Sequence, residues 1–290
     1  MTAPTLLFCL GATKAGTSWL HAQLRRHPDC AFSSLKELHY FDSLEPNRLP
    51  QQKAAMELAI ERLALRMVGA DLPKRRDLAQ RVEDRAAWRD VLAVGRADHP
   101  AYLAYLQRDA AGARVVGDIT PAYGLLPQPR LAEMAALSQE VHFVYLLRDP
   151  VARLWSHVRM NTQRQQTSAA FDPGKAHTFL DAVLQGGHDD IARRGDYRTI
   201  LEKLDRVAAP SRRTVLFFEE MVQPGGLTPL CTALSIRAPR DAPGGPVHTG
   251  PKAALDSDAA RAARAWLEPQ YSYVHQRFGR LPQSWQESSA

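Results

Sequence analysis

The residues Gly11-Ala12-Thr13-Lys14-Ala15-Gly16-Thr17-Ser18 are of the types that hold an anion. The apolar run Thr5 to Leu10 leads into them, and Thr17 to Arg26 follows with helical character, Trp19, Leu20 and Leu24 sharing one face. A tight loop between a strand and a helix N-terminus presents backbone N–H groups without partners, which favour a phosphate or sulfate. The loop has the length of the nucleoside-triphosphate motif GxxxxGK plus Ser or Thr, in which lysine follows the second glycine and the hydroxyl residue binds magnesium. Here Thr17 follows Gly16, and the only lysine of the loop is Lys14. At that position the cation crowns the loop and faces a terminal phosphate together with whatever that phosphate carries. The pattern suits a metal-independent anion cradle better than an ATPase. Lysine is scarce in this chain, seven of the 37 basic residues, so one inside a glycine loop is informative.

The elements that must position this loop follow from the rest of the chain. Its 290 residues, 45% hydrophobic and 23% charged, have the profile of a soluble globular protein with one large α/β core. Val115 to Asp118 reads as a strand end. Val141 to Leu147 is a continuous apolar run of the kind buried on both faces of a sheet. It stops at Arg148-Asp149-Pro150, with Asp149 suited to cap and Pro150 to begin a helix over Val151 to Met160. Cys30 to Ser33 and Thr214 to Phe218 are further strands, and Asp258 to Phe278 is a last helix interrupted at Pro269. Residues 44–113, rich in Ala, Leu, Arg and Glu, form a helical insertion, and 283–290 a frayed tail. Strands alternating with helices imply a P-loop-like, mainly parallel α/β sheet flanked by helices, in a single domain over 1–290. Cys9, Cys30 and Cys231 have no metal-ligand spacing and read as reduced thiols. Met1 to Pro4 lacks a basic leader and no stretch approaches the ~18 apolar residues of a membrane span, so the expected location is cytoplasmic. The excess of 37 basic over 31 acidic residues suits an anionic ligand.

The stretch GATKAGTSWLHAQLRRHP resembles the 5′-phosphosulfate loop of the sulfotransferases that use 3′-phosphoadenosine 5′-phosphosulfate (PAPS). VYLLRDPVARLWSH resembles the same superfamily's 3′-phosphate site, in which an arginine at a strand end and a serine in the following helix bind the nucleotide. The resemblance thus implies cofactor contacts from Lys14, Ala15, Gly16, Thr17 and Ser18 at one junction and from Arg148 and Ser156 at the other. A guanidinium offers a phosphate two donors at once, and the hydroxyl adds another. Arg153 is an extra cation nearby. Lys36-Glu37-Leu38-His39-Tyr40-Phe41-Asp42 resembles the KE-x-H-aromatic-F segment of the carbohydrate (heparan-sulfate-like) branch, where the glutamate is the catalytic base. A hydroxyl is a poor nucleophile, so a carboxylate must take its proton as the S–O bond forms. This implies Glu37 as base, with His39 as the competing choice, and Lys36 or Lys14 to stabilise charge on the leaving oxygen.

Gly117-Asp118-Ile119-Thr120-Pro121-Ala122-Tyr123 resembles the superfamily's acidic segment near the acceptor, which implies substrate contacts from Asp118 and Tyr123. Heparan-sulfate members often carry lysine where this chain has Ile119, which speaks against a densely sulfated acceptor. Tyr197, in Arg194-Gly195-Asp196-Tyr197, reads first as a core tyrosine. His248-Thr249-Gly250-Pro251-Lys252 stands where the superfamily's flexible loop closes on the cofactor, and Gly250 and Lys252 carry over from it. The implied activity is transfer of a sulfonyl group from PAPS to a hydroxyl of a carbohydrate, glycolipid or small molecule, releasing adenosine 3′,5′-bisphosphate without a metal. Neither a nucleic-acid partner nor a transmembrane segment is expected, although peripheral membrane contact is compatible. The alternatives are a P-loop nucleotide kinase and a non-catalytic protein that binds anions or nucleic acid.

Overall fold

The computed structural model describes residues 3–45, 48–166, 170–239, 250–251 and 253–287. In chain order these form β1 (Thr5–Cys9), α1 (Thr17–Arg26), β2 (Cys30–Ala31), α2 (Tyr40–Ser43), α3 (Leu49–Met67), α4 (Leu72–Ala93), α5 (His99–Gln107), β3 (Val115–Ile119), α6 (Gln128–Ala135) and β4 (Val141–Leu147). There follow α7 (Pro150–Gln165), α8 (Pro173–Leu184), α9 (Asp189–Arg193), α10 (Tyr197–Val207), β5 (Arg213–Phe217), α11 (Phe218–Met221), α12 (Thr228–Ala233), α13 (Ser257–Phe278) and α14 (Gln283–Glu287). The five strands make one sheet in the order β2-β3-β1-β4-β5, with every pairing parallel. Every residue of β4 is buried because the strand lies between β1 and β5 under helices. That environment accounts for its unbroken apolar run. β1 lies between β3 and β4, so the loop after β1 opens at the carboxyl end of the sheet beside the loop after β4. Ligands of open parallel sheets bind at such an edge.

The helical insertion is a long antiparallel pair, α3 and α4, followed by α5, which packs on β3. Asp84 of α4 ties the pair to the sheet. Its buried carboxylate accepts from Ser34 N at 2.7 Å, Ser33 Oγ at 3.2 Å and Gln80 Nε2 at 3.0 Å, and pairs with Arg108. Trp88, one turn on, donates from Nε1 to the Leu38 carbonyl at 3.0 Å. Tyr40 stacks on Tyr102 of α5 at 4.2 Å between ring centroids, completing an aromatic wall beneath residues 36–42.

Three expectations change. Gln283–Glu287 is helical and Trp285 is fully buried, edge-on to Phe217 and Tyr271, so this part of the expected tail closes the core. Pro269 does not interrupt α13, which runs through it with Leu267, Tyr271 and Val274 buried; packing against α7, α8 and α10 outweighs the lost hydrogen bond. Phe218 begins a helix instead of ending β5. Among the described residues no helix is long and apolar enough to cross a membrane.

Asp84→Ala removes the acceptor of three hydrogen bonds and leaves Arg108 only the exposed Asp109 as an ion-pair partner. The expected loss of stability is about 3 kcal/mol, read as a lower midpoint in urea denaturation.

Candidate active site

The loop after β1 is shaped by three residues at positive φ, Gly11 (127°), Lys14 (71°) and Gly16 (92°). At Gly16 a Cβ would lie 2.4 Å from the Phe218 ring, so only glycine fits under that aromatic lid. Gly16 caps α1 without a side-chain hydrogen bond, and the first turn of the helix carries no acid. The N-terminus of α1 therefore keeps its positive potential for a ligand. Ala15 and Thr17 are buried and Ser18 is half-buried at the start of the helix. Thr13 Oγ1 is buried with no hydrogen-bond partner among the described residues, the kind of orphan that a phosphate oxygen would satisfy.

The second junction meets the first. Arg148 Nη1 donates to the Lys14 carbonyl at 2.9 Å, although the two residues are 134 apart in sequence. The guanidinium lies over Phe218, its carbon 5.0 Å from the ring centroid. Tyr197 is a core tyrosine, and its hydroxyl donates to the Arg148 carbonyl at 2.6 Å. Asp149 caps α7 through Ala152 N at 2.7 Å, and Pro150 opens the helix. Ser156 is half-buried two turns into α7. Arg153 is buried and held by His157 Nδ1 and the Ile191 carbonyl, both at 3.5 Å, so it belongs to the interior.

Lys14 is held below the ordinary lysine range by burial and then by the charges of Arg148, Arg164, Arg159 and Lys36. Burial also lowers Arg148. Cations crowded in this way are relieved by a polyanion. Arg159 and Arg164 were not singled out from the sequence; their signal was their place on α7, beyond the serine. Arg159 Nη1 donates to the Pro251 carbonyl at 2.7 Å, and Trp155 Nε1 to the Ala253 carbonyl at 2.9 Å. The segment with exposed Gly250 therefore docks on α7 beside the cation cluster. Lys252, His248 and Thr249 lie outside the described residues.

Residues 36–42 form the other wall. Lys36 Nζ pairs with Glu37 Oε1, His39 Nε2 lies 3.6 Å from Glu37 Oε2, and His39 Nδ1 bonds Asp42 Oδ2 at 2.8 Å. Burial alone would raise Glu37, but the hydrogen bond from His39 and the charge of Lys36 hold it down at about 2. Burial would likewise lower His39, but Asp42 and Glu37 lift it to about 9. The two carboxylates on either side of the ring thus favour its protonated form, with Nδ1 held by Asp42. Asp42 was missed in the sequence; its signal was the H-x-x-D spacing at a helix start, which puts both side chains on one face.

Asp118 and Tyr123, expected to touch the acceptor, are 1% and 0% exposed and form an interior hub. Thr120 Oγ1 and Tyr123 OH donate to the Asp118 carboxylate at 2.6 Å each, and Tyr102 OH at 3.0 Å. Tyr123 in turn accepts from Tyr40 N at 2.8 Å, and Thr120 from His39 N at 3.4 Å. The hub thereby fixes a backbone in which Glu37 (φ 65°) and His39 (φ 56°) both adopt left-handed geometry, at a cost of about 1 kcal/mol or more each. Among the described residues no group of three or more His, Cys, Asp or Glu side chains is arranged to hold a metal ion.

Two cationic strand-to-helix junctions thus meet at the carboxyl edge of a parallel α/β sheet, in a P-loop-like architecture. The sequence model of the Sulfotransferase family matches residues 4–237, and the chain belongs to that family. The fold is similar to the crystal structure of a sulfotransferase from Alicyclobacillus acidocaldarius, with a TM-score of 0.61 and 18% identity over 99% of this chain and 100% of that one. The sulfotransferase domain from the curacin biosynthetic pathway aligns with a TM-score of 0.49 and 19% identity, over 83% of this chain and 77% of that one. A search of curated proteins finds no match.

The raised His39 makes a signed prediction. Stability tied to its charge is complete below the ordinary value near 6.5 and is lost as pH rises through about 9. In an NMR titration the His39 ring should show a midpoint near 9. Asp42→Asn should move it down by roughly one unit or more toward the free value.

Proposed function

We propose that the protein transfers a sulfonyl group from PAPS to a hydroxyl of a carbohydrate, glycolipid or small-molecule acceptor, with Glu37 as general base. One observation carries this reading: the Arg148 guanidinium rests on the Lys14 carbonyl, so that two junctions distant in sequence can grip the two ends of one nucleotide. Lys14, the Thr13 hydroxyl and the amides of Ala15 to Ser18 would hold its 5′ end. Arg148 and Ser156 would hold the 3′-phosphate, and Gly250 and Lys252 would close over it from the segment docked on α7. Bound PAPS supplies an activated sulfonyl group whose leaving group is adenosine 3′,5′-bisphosphate.

Glu37 is ionised at neutral pH and accepts the acceptor's proton at a carboxylate oxygen. While Lys36 is paired with it, that carboxylate is a weak base. Lys36 also faces the charge of Lys14. Turning Lys36 toward an anion in the loop would leave Glu37 more basic while placing a cation at the leaving oxygen. His39, fixed by Asp42, orients Glu37. The chain acts as a single catalytic domain, with residues 44–113 forming the acceptor side. Its cysteines are free, which supports a reducing, cytoplasmic setting.

Calorimetric titration with adenosine 3′,5′-bisphosphate should give binding that Arg148→Ala weakens roughly 100-fold, about 2.7 kcal/mol. Absence of binding by the wild type, or indifference to the substitution, sinks the assignment. Glu37→Gln should keep nucleotide affinity and lower sulfonyl transfer by about 10²-fold or more, measured as mass-shifted products from a cell extract.

A further inference from the structure

Beside the reactive loop lies a cavity of about 600 Å³ that shares only Ser18 and Lys36 with the groups placed around the nucleotide above. One wall is a face of α1, with Ser18, His21 and Arg25 at helical spacing; the opposite wall is a face of α4, with Arg81 and Arg85. Ser18 of the anion loop and Lys36, the partner of Glu37, also line it, so the cavity communicates with the site of reaction. Its volume is that of an ordinary small-ligand site.

The lining is cationic. Arg25, Arg26, Lys36, Arg81 and Arg85 face it with Asp77 as the one carboxylate, and Asp77 sits 3.6 Å from Arg81 on the exposed rim. Arg85 bonds the Arg81 carbonyl at 3.0 Å, a contact that leaves its charge unneutralised. Burial and the charge of Arg81 lower Arg85, and burial, Lys36 and Arg25 push His21 down to about 4. Ser34 Oγ, also in the lining, is buried with no hydrogen-bond partner among the described residues. An apolar or neutral acceptor would leave these groups unsatisfied, whereas a phosphate, sulfate or carboxylate would pair with them bidentately. Arg148, Arg159 and Arg164 crowd Lys14 at the nucleotide loop, so the α1 and α4 arginines are additional to that cluster. Arg25 lies seven positions beyond Ser18 on α1, roughly 10 Å along the helix. The anionic group is thus held at a distance from the reacting hydroxyl.

We propose that this cavity is the acceptor site and that it selects a hydroxylated acceptor already bearing one anionic group, held by Arg81 and Arg85 of the insertion together with Arg25. The inference rests on the sulfotransferase reading for what happens at Glu37, but the anion selectivity belongs to the cavity itself. It is also compatible with Ile119: the cations come from the insertion and not from the segment after β3, and they serve a localised charge.

The test is calorimetry on the full chain, with and without saturating adenosine 3′,5′-bisphosphate. The probes are glucose 6-phosphate and sucrose 6-phosphate, their neutral parents, dihexanoylphosphatidylinositol and inorganic phosphate. At least one phosphorylated probe is expected to bind ten times more tightly than both its neutral counterpart and inorganic phosphate. Binding of the sugar phosphates identifies a soluble acceptor; binding of the phosphatidylinositol alone identifies a lipid headgroup. The R81Q/R85Q double variant should lose at least tenfold in that affinity while melting normally and retaining its nucleotide affinity. The proposal is overturned if no phosphorylated probe binds, if neutral parents or inorganic phosphate bind equally well, or if the double variant binds like the wild type. Loss of nucleotide binding alone would remove the transferase reading and leave the cavity's selectivity still measured by the nucleotide-free titrations.

Discussion

A guanidinium resting on a loop carbonyl organises this molecule. Arg148 leaves the end of β4 and donates to Lys14, and through that contact the loop after β1 and the loop after β4 become one surface. Both strands are interior members of a parallel sheet, so their carboxyl ends are rigid. Tyr197 fixes the Arg148 backbone from one side and Phe218 covers its side chain from the other. Spending one donor of Arg148 on the carbonyl orients the guanidinium, whose remaining N–H groups then point a fixed fork at a ligand. The accumulated positive charge is a tension in the free protein that a polyanion would relieve.

The opposite wall solves a different problem. Glu37 and His39 occupy unfavourable backbone geometry, and the Asp118 hub over-determines it with hydroxyl donors instead of a cation. Burial raises Asp118, and the three hydroxyls oppose that rise. Neutral donors suit this location, because a further cation beneath residues 36–42 would compete with Lys36 for Glu37. The insertion joins the same scaffold through Tyr102, Trp88 and Asp84, so the arginines of α4 and the carboxylate of Glu37 are registered by shared contacts.

Much of this was legible in the sequence because it depends on short-range rules. The strand, glycine loop and helix at 5–26, the buried run 141–147 and the Asp-Pro helix start are local patterns, and the structure contains all three. The cation at Lys14 and the pair Arg148 and Ser156 were readable as motifs. Their approach was not, because no local pattern encodes a contact across 134 residues. The interior place of Asp118 and Tyr123 was hidden for a related reason: an acid followed by Thr-Pro looks equally suited to a substrate or to a hydrogen-bonded interior. Trp285 was lost to the habit of treating polar termini as frayed, although one large aromatic can anchor a terminus. The arginines of α4 carry no motif, and their meeting with α1 across the cavity is a tertiary feature.

Phe218 carries an implication for biosynthesis. The glycine loop is encoded within the first twenty residues, yet the ring that seats upon Gly16 emerges some two hundred residues later, after the final strand. A nascent chain therefore holds the glycine loop long before it holds the buttress that shapes it. Premature termination ahead of β5 would leave a polypeptide with the motif and without the cradle.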